Sequence, residues 1–343
     1  ITLLTENEKY IVKSLKIDLL SLVKDTNVTG SIDSFSGKAM INDHDQLYIW
    51  NYNDSIVQKH SPFNKIPLDH IQGDGKDMLP ICLLTWPATM DQSGQETNLG
   101  ICIIHRQSGK FVFYEDISSI NNLYSQLSQN LAHVLDLGLA NSSEYITSAI
   151  SVEPSGVVLA TSFGRVLFVT IRDSMGKPKV QLKQQLIKSQ KNFFSNLFAG
   201  KVNDNTIQHH DIVSLKNGPI VGKGDRLLYI TTRKGEFQIW QLSVTSNCYK
   251  RIELNFYNQI MESLKDLYPF ALSSLQILDS HPIFNDDHLT HMILSSITNG
   301  KDETCYILST LIFDEKSNNF IIFSTYRLNT YSSPPEYTSS TIK

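Results

Sequence analysis

Thr232–Trp240 reads TRKGEFQIW, and the fold follows from how often this phrase returns. A turn carrying Gly235 leads into a short strand, and an aromatic residue closes that strand five positions after the glycine. Ser108–Tyr114 (SGKFVFY) has the same shape, and Gly164–Val169 (GRVLFV) repeats it with valine in the aromatic slot. Asp45–Trp50 (DQLYIW) is a fourth copy with aspartate in the glycine place. Strand-like runs precede three of these turns, at Ile101–Arg106, Gly156–Ser162 and Arg226–Thr232. A two-strand hairpin recurring along one chain marks a repeat architecture. At roughly 40–50 residues per four-stranded unit, the 343 residues predict an all-β chain, a β-propeller of six or seven blades. The Gly-His and Trp-Asp pairs of the commonest propeller repeat are missing.

Composition narrows the function classes. Hydrophobic residues make up 41% of the chain, enough for a sizeable core, and charged residues only 19%. A formal net charge of −4 carries no global nucleic-acid footprint. Cys82, Cys102, Cys248 and Cys305 form no C-x-x-C pair, which speaks against a zinc site or a disulfide framework and for core-filling thiols in a reducing compartment. No apolar run reaches the roughly 18 residues of a membrane span, and no signal-peptide pattern opens the sequence. The start at Ile1 is expected of part of a longer chain.

Three stretches depart from the strand pattern. In Ser118–Leu137 the residues Ile120, Leu123, Leu127, Leu131 and Val134 recur at helical spacing, which predicts a helical insertion. Asn255–Tyr268 predicts a second helix, capped by Asn255, with Ile260, Met261, Leu264 and Leu267 on one face and Pro269 as its stop. Between them, Ile146–Arg172 reads as a hairpin pair with Val166–Ile171 as its outer strand. Ser174–Asn203 then reads as an inserted basic amphipathic loop.

Catalytic constellations are weak. Gly218–Lys223 (GPIVGK) is one residue short of a phosphate loop, and Gly224 stands where its Ser or Thr belongs, so a tight turn is the better reading. Asp286, Asp287, His288 and His291 cluster, but the alternation that follows puts the two histidines on opposite faces, as in a solvated loop entering a strand. His209 and His210 lie in polar surroundings. No enzyme activity, metal or cofactor is expected.

Ser174–Asn203 is not explained by the repeat. It carries six lysines (Lys177, Lys179, Lys183, Lys188, Lys191 and Lys201) and no Asp or Glu. Within it, QLIKSQKNFFSNLFAG (Gln185–Gly200) sets Leu182, Leu186, Phe193 and Leu197 at helical steps, with Ile187, Phe194 and Phe198 beside them. Bulky apolar residues opposite small polar ones would bind a bilayer by burying the apolar face, with a preference for curved, loosely packed lipid. Two other readings stand beside it: the aromatic run tucks into a blade edge, or it docks as a helix on a protein partner.

Several phrases, in order, carry a resemblance. They are LYIWNY at Leu47–Tyr52, RQSGKFVFYEDI at Arg106–Ile117, SFGRVLFVTIRDSMGKP at Ser162–Pro178, NFFSNLFAG at Asn192–Gly200 and YILSTLIFDE at Tyr306–Glu315. Together with the block from Leu254 to Leu278, this order resembles the N-terminal propeller of the large scaffold nucleoporins, the nucleoporin 133 family of the Y-shaped complex of the nuclear pore. The resemblance covers nearly the whole chain. It implies one seven-bladed propeller over residues 1–343 with its last blade incomplete after Tyr331, followed in the full protein by a helical stack that binds the neighbouring scaffold subunit. It also implies a place at the nuclear pore and nuclear envelope, a role in nucleocytoplasmic transport including mRNA export, and no direct nucleic-acid or small-molecule ligand. In that family a propeller loop is an amphipathic lipid-packing sensor that meets the curved pore membrane. By position the resemblance makes Leu186, Ile187, Phe193, Phe194, Leu197 and Phe198 membrane-facing, with lysines that add affinity for anionic lipid and Ser118–Leu137 as a second segment that could share the contact. The alternative is a protein-interaction propeller of a membrane-coat or trafficking scaffold, whose inserted loop docks on a partner.

Overall fold

The computed structural model describes residues 2–6, 11–14, 27–33, 36–52, 64–68, 78–85, 99–120, 132–140, 143–188, 211–222, 224–265, 274–284, 289–298, 304–314, 316–317 and 319–328. The chain divides into two compact units, residues 1–86 with 90–143, and residues 87–89 with 144–343.

In the first unit β1 (Thr2–Glu6) and β2 (Ile11–Ser14) form a two-stranded sheet. A four-stranded sheet follows, made of β3 (Thr29–Asp33), β4 (Lys38–Asn42), β5 (Gln46–Asn51) and β6 (Asn64–Pro67). The next comprises β7 (Ile81–Thr85), β8 (Gly100–Ile104), β9 (Lys110–Tyr114) and β10 (Ala132–Asp136). Met40, Leu47, Ile49 and Ile66 from one sheet meet Cys82, Leu84, Ile101 and Val112 from the other in a shared core.

The second unit holds three more four-stranded sheets. The first is β11 (Ile146–Ser151), β12 (Val157–Thr161), β13 (Val166–Arg172) and β14 (Pro178–Ile187). The second is β15 (Ile212–Val221), β16 (Asp225–Thr232), β17 (Glu236–Leu242) and β18 (Tyr249–Asn255). The third is β19 (Gln276–Phe284), β20 (Leu289–Thr298), β21 (Thr304–Asp314) and β22 (Asn319–Leu328). Every pairing is antiparallel and joins strands adjacent in sequence. The described residues therefore make five four-stranded, blade-like sheets and one two-stranded sheet, where seven blades were expected.

The repeated phrase is the turn between the second and third strand of a sheet. Gly109, Gly164 and Gly235 all have φ near +70°, the left-handed region where a side chain is strained. The Gly235 N–H donates to the Thr232 carbonyl at 3.0 Å, and Gly164 does the same to Thr161 at 2.9 Å. The Asp45 copy dispenses with glycine because Asp43 Oδ1 accepts the N–H groups of Asp45 (2.9 Å) and Gln46 (2.7 Å), closing the turn with a side chain.

Strands β12 and β13 are buried at every position, which is why VVLAT and VLFVTIR read as continuous apolar runs rather than alternating ones. Gly156, at φ +142°, precedes β12, and a Cβ there would run into the Val169 carbonyl oxygen of β13. Across the blade edge, Glu144 and Arg165 form a two-point ion pair at 2.7 and 2.8 Å, with the Glu144 side chain fully buried.

The helical expectations are partly corrected. Among the described residues of 118–137, the helix α1 covers only Ile117–Ile120, and Val134 sits on β10 opposite Val112. The open edge of β9 offers a full backbone ladder, which outweighs a helical spacing of apolar residues. Leu123, Leu127 and Leu131 lie outside the described residues. The second helix, α2, runs over Tyr257–Leu264, with Phe256 at its N-cap. Asn255 still serves its start, because Asn255 Oδ1 accepts the Tyr257 N–H at 2.8 Å. Ile260 and Leu264 are fully buried and Met261 packs beside them, while Leu267 lies outside the described residues.

Candidate membrane-contact loop and its frame

The segment singled out by composition starts later than its sequence suggests. Val166–Ile171 is not the outer strand of its sheet; β14 is, and it uses Pro178–Ile187. Val166 pairs with Ile187 and Phe168 with Gln184, so the first half of the expected loop is spent on a backbone ladder. Leu186 is 7% exposed and belongs to the core between this sheet and β15–β18, with Ile187 packed against the same core. Of the residues expected to face membrane, Leu186 is thus a core residue and Ile187 lies half-buried against that core. The Leu186 side chain, inside the seam, could reach a bilayer only by opening the sheet. Leu182 points outward and is exposed.

Polar contacts fix β14 further. Lys183 Nζ donates to the Val244 carbonyl at 3.0 Å. The Gln184 amide clamps Cys248, accepting its N–H at 3.1 Å and donating to its carbonyl at 3.2 Å. Lys183 and Gln184 thus tie one sheet to the next. Lys188 is exposed and is the last described residue before the segment. Phe193, Phe194, Leu197 and Phe198 lie outside the described residues, as do His209 and His210.

The chain re-enters at Asp211. The Arg233 N–H donates to the Asp211 carbonyl at 2.9 Å, and Arg233 Nε to Asp211 Oδ2 at 3.3 Å. Ile212 then opens β15 against the same apolar core that holds Leu186. Both ends of residues 189–210 are therefore anchored in adjacent sheets.

The remaining candidates have structural surroundings. His291 lies on β20, past the loop, and is fully buried, with Tyr229, Phe237 and Phe320 around its ring at centroid distances of 5.3, 4.6 and 5.5 Å. Burial, reinforced by the neighbouring His281, pushes its pKa down to about 3. Asp286, Asp287 and His288 lie outside the described residues. GPIVGK falls on the β15–β16 hairpin, where Gly222 turns the chain at φ +57°. Cys82, Cys102 and Cys248 are buried, and burial pushes the Cys82 thiol up to about 12, which leaves it chemically quiet. Among the described residues no three His, Cys, Asp or Glu side chains are placed to hold a metal.

One polar constellation was not foreseen: Glu153, Arg172 and Arg226 come together at the end of the seam between the β11–β14 and β15–β18 sheets. They are far apart in sequence. The only sequence signal was an ionisable residue at a position where strand alternation demands an inward side chain.

Comparison with known proteins identifies the frame. The family model described as Nup133 N terminal like matches residues 5–343. Nucleoporin NUP133 of Saccharomyces cerevisiae is 46% identical over 339 residues, covering 95% of this chain and 28% of that protein. Nucleoporin NUP133 of Chaetomium thermophilum is 25% identical over 81% of the chain and 20% of its own length. The chain thus spans less than a third of the curated relatives it matches. The crystal structure of the Vanderwaltozyma polyspora Nup133 β-propeller domain superposes with a TM-score of 0.77 at 47% identity, over 98% of this chain and 77% of that one. With its meander sheets, glycine turns and interleaved cores accounted for, the chain belongs to the Nup133 N-terminal-like family of nucleoporins, and its four-stranded sheets are blades of a β-propeller.

Proposed function

We propose that this propeller is a non-enzymatic scaffold part of the nuclear pore complex, and that residues 189–203 bring it to the curved pore membrane. Its partners are other scaffold nucleoporins of the Y-shaped complex, engaged mainly through the helical part of the longer protein, and its role lies in nucleocytoplasmic transport including mRNA export. The observation that supports the loop is its frame. Leu186 at one end and Ile212 at the other are held by one core. The intervening run from 189 to 203 has four bulky apolar residues in NFFSNLF and no carboxylate. A weakly charged, aromatic-rich segment between two fixed strands can insert in lipid without unpairing either strand, and its affinity comes from apolar burial. The proposed membrane-facing set is therefore Phe193, Phe194, Leu197 and Phe198.

Flotation of the purified chain with small and large vesicles of the same neutral lipid tests this. Binding to small vesicles is expected, lost in Leu197→Asp with Phe198→Asp while the circular dichroism stays native. Folded protein that floats with neither size sinks the membrane reading and transfers the segment to a protein partner, as in a trafficking-coat scaffold. Leu186→Asp is expected to unfold the blade rather than release the membrane, because its side chain lies in the core.

A further inference from the structure

The seam between the β11–β14 and β15–β18 sheets is apolar for most of its length, with Val158, Ala160, Val166 and Phe168 facing Leu215, Leu228, Ile230 and Trp240. At the β11–β12 turn it becomes polar. Phe168 lies in the seam, so alternation along β13 puts Thr170 and Arg172 on the same face. Leu228 and Ile230 put Arg226 of β16 opposite them, and Leu215 puts Asn217 of β15 there as well. Asn217 Nδ2 donates to the Ser151 carbonyl across the seam at 2.6 Å. Glu153 follows Val152 into this end, is 5% exposed, and interacts electrostatically with both Arg172 and Arg226.

Buried side-chain atoms without a hydrogen-bond partner here include both Glu153 oxygens, Thr170 Oγ1, Asn217 Oδ1 and Arg226 Nε. With Glu153 ionised, three of these only accept, one only donates, and the hydroxyl does either. An anion would satisfy the guanidinium and the hydroxyl but face three acceptors. A metal cation would sit against two guanidinium charges. Water both donates and accepts, and is the one small ligand that matches the set. We infer that ordered water occupies this end of the seam and links Glu153 and Asn217 to Arg226 and Thr170, making a hydrated Glu153–Arg172–Arg226 triad that joins two adjacent blades.

The triad has a consequence for charge. Burial pushes the Glu153 carboxyl up to about 8 even with Arg172 and Arg226 pulling it down. Water donating to both oxygens restores the ionised form. The charged groups facing Glu153 are Arg172 of β13 and Arg226 of β16; Asp173 is engaged with the Met175 and Lys177 N–H groups and Asp225 with Gln241.

Equilibrium denaturation of the chain and of Glu153→Gln at about pH 5.5 and pH 7.5 tests the inference. The expected result is a folding constant at least about tenfold lower for Glu153→Gln, by the same factor at both pH values. A dry carboxyl would stay protonated in the folded state while the unfolded chain ionises, so the parent protein would lose about 100-fold relative to Glu153→Gln over that window, which would overturn the inference. If the variant does not fold, a crystal structure of the parent chain that resolves solvent decides it. Density bridging Glu153 and Arg226 upholds the triad, and direct carboxylate–guanidinium contacts without bridging water overturn it.

Discussion

Replacing Phe237 by Ala is expected to lower stability by about 3–5 kcal/mol, read as a drop in the denaturant midpoint with an unchanged slope. Phe237 is fully buried on β17. Its ring lies 6.0 Å from Tyr229, 5.8 Å from Phe256, 4.6 Å from His291 and 5.4 Å from Phe320, centroid to centroid. These residues come from the β15–β18 and β19–β22 sheets and from the lead-in to α2, so truncation opens a space that no single element can move to fill. Packed interiors relax little around such a loss, and the cavity adds to the lost transfer energy. A loss below about 1 kcal/mol would show that α2 collapses onto the gap and that the aromatic cluster is not a rigid centre.

Acid should weaken the same cluster through His291. Above pH 6.5 the ring is neutral in the folded and unfolded chain alike, and its contribution does not change. As pH falls below 6.5 the unfolded chain takes up a proton that the folded chain refuses until about pH 3. Stability therefore falls by about 1.4 kcal/mol per pH unit across that window, up to about 5 kcal/mol in all, and levels off beneath it. Neither ring nitrogen has a hydrogen-bond partner, and Tyr229, Phe237 and Phe320 enclose the ring, so burial outweighs what the aromatic faces could offer an imidazolium. His291→Phe should remove one proton from the pH dependence of unfolding between pH 4 and 6. If both proteins show the same slope there, the ring is being protonated inside the fold and the account fails.

What the residues disclosed, and where they misled, can be traced to particular strands. The glycine turns before β9, β13 and β17 were legible because a left-handed residue followed by a fixed-length strand is a local signal. The Asp45 copy was legible too, since a side-chain turn replaces the glycine. β14 was misread because Leu182, Leu186 and the lysines around them fit a helical spacing, while the bulges that break its pairing with β13 also break the alternation of a regular strand. Val134 was drawn into a helix for the same reason: an outer strand with one open face carries few compulsory apolar positions. His291 was read in a loop entering a strand, and only Tyr229, Phe237 and Phe320 on the neighbouring strands reveal its aromatic enclosure. Of the membrane set, the frame at Leu186 and Ile212 comes from packing across sheets, which sequence spacing does not encode.

The meander order of the sheets bears on how the chain acquires its shape. Each four-stranded sheet is complete within one continuous stretch of polypeptide. Its pairings have low contact order, so a blade can form its ladder as soon as its own four strands have left the ribosome. Stability is then assembled from blade to blade through nearest-neighbour seams. The segment between β14 and β15 falls between two such folding units rather than inside one. Lengthening it leaves the loops that close each ladder unchanged, so evolution can rewrite residues 189–210 for a new surface while each blade keeps its own route to the native state.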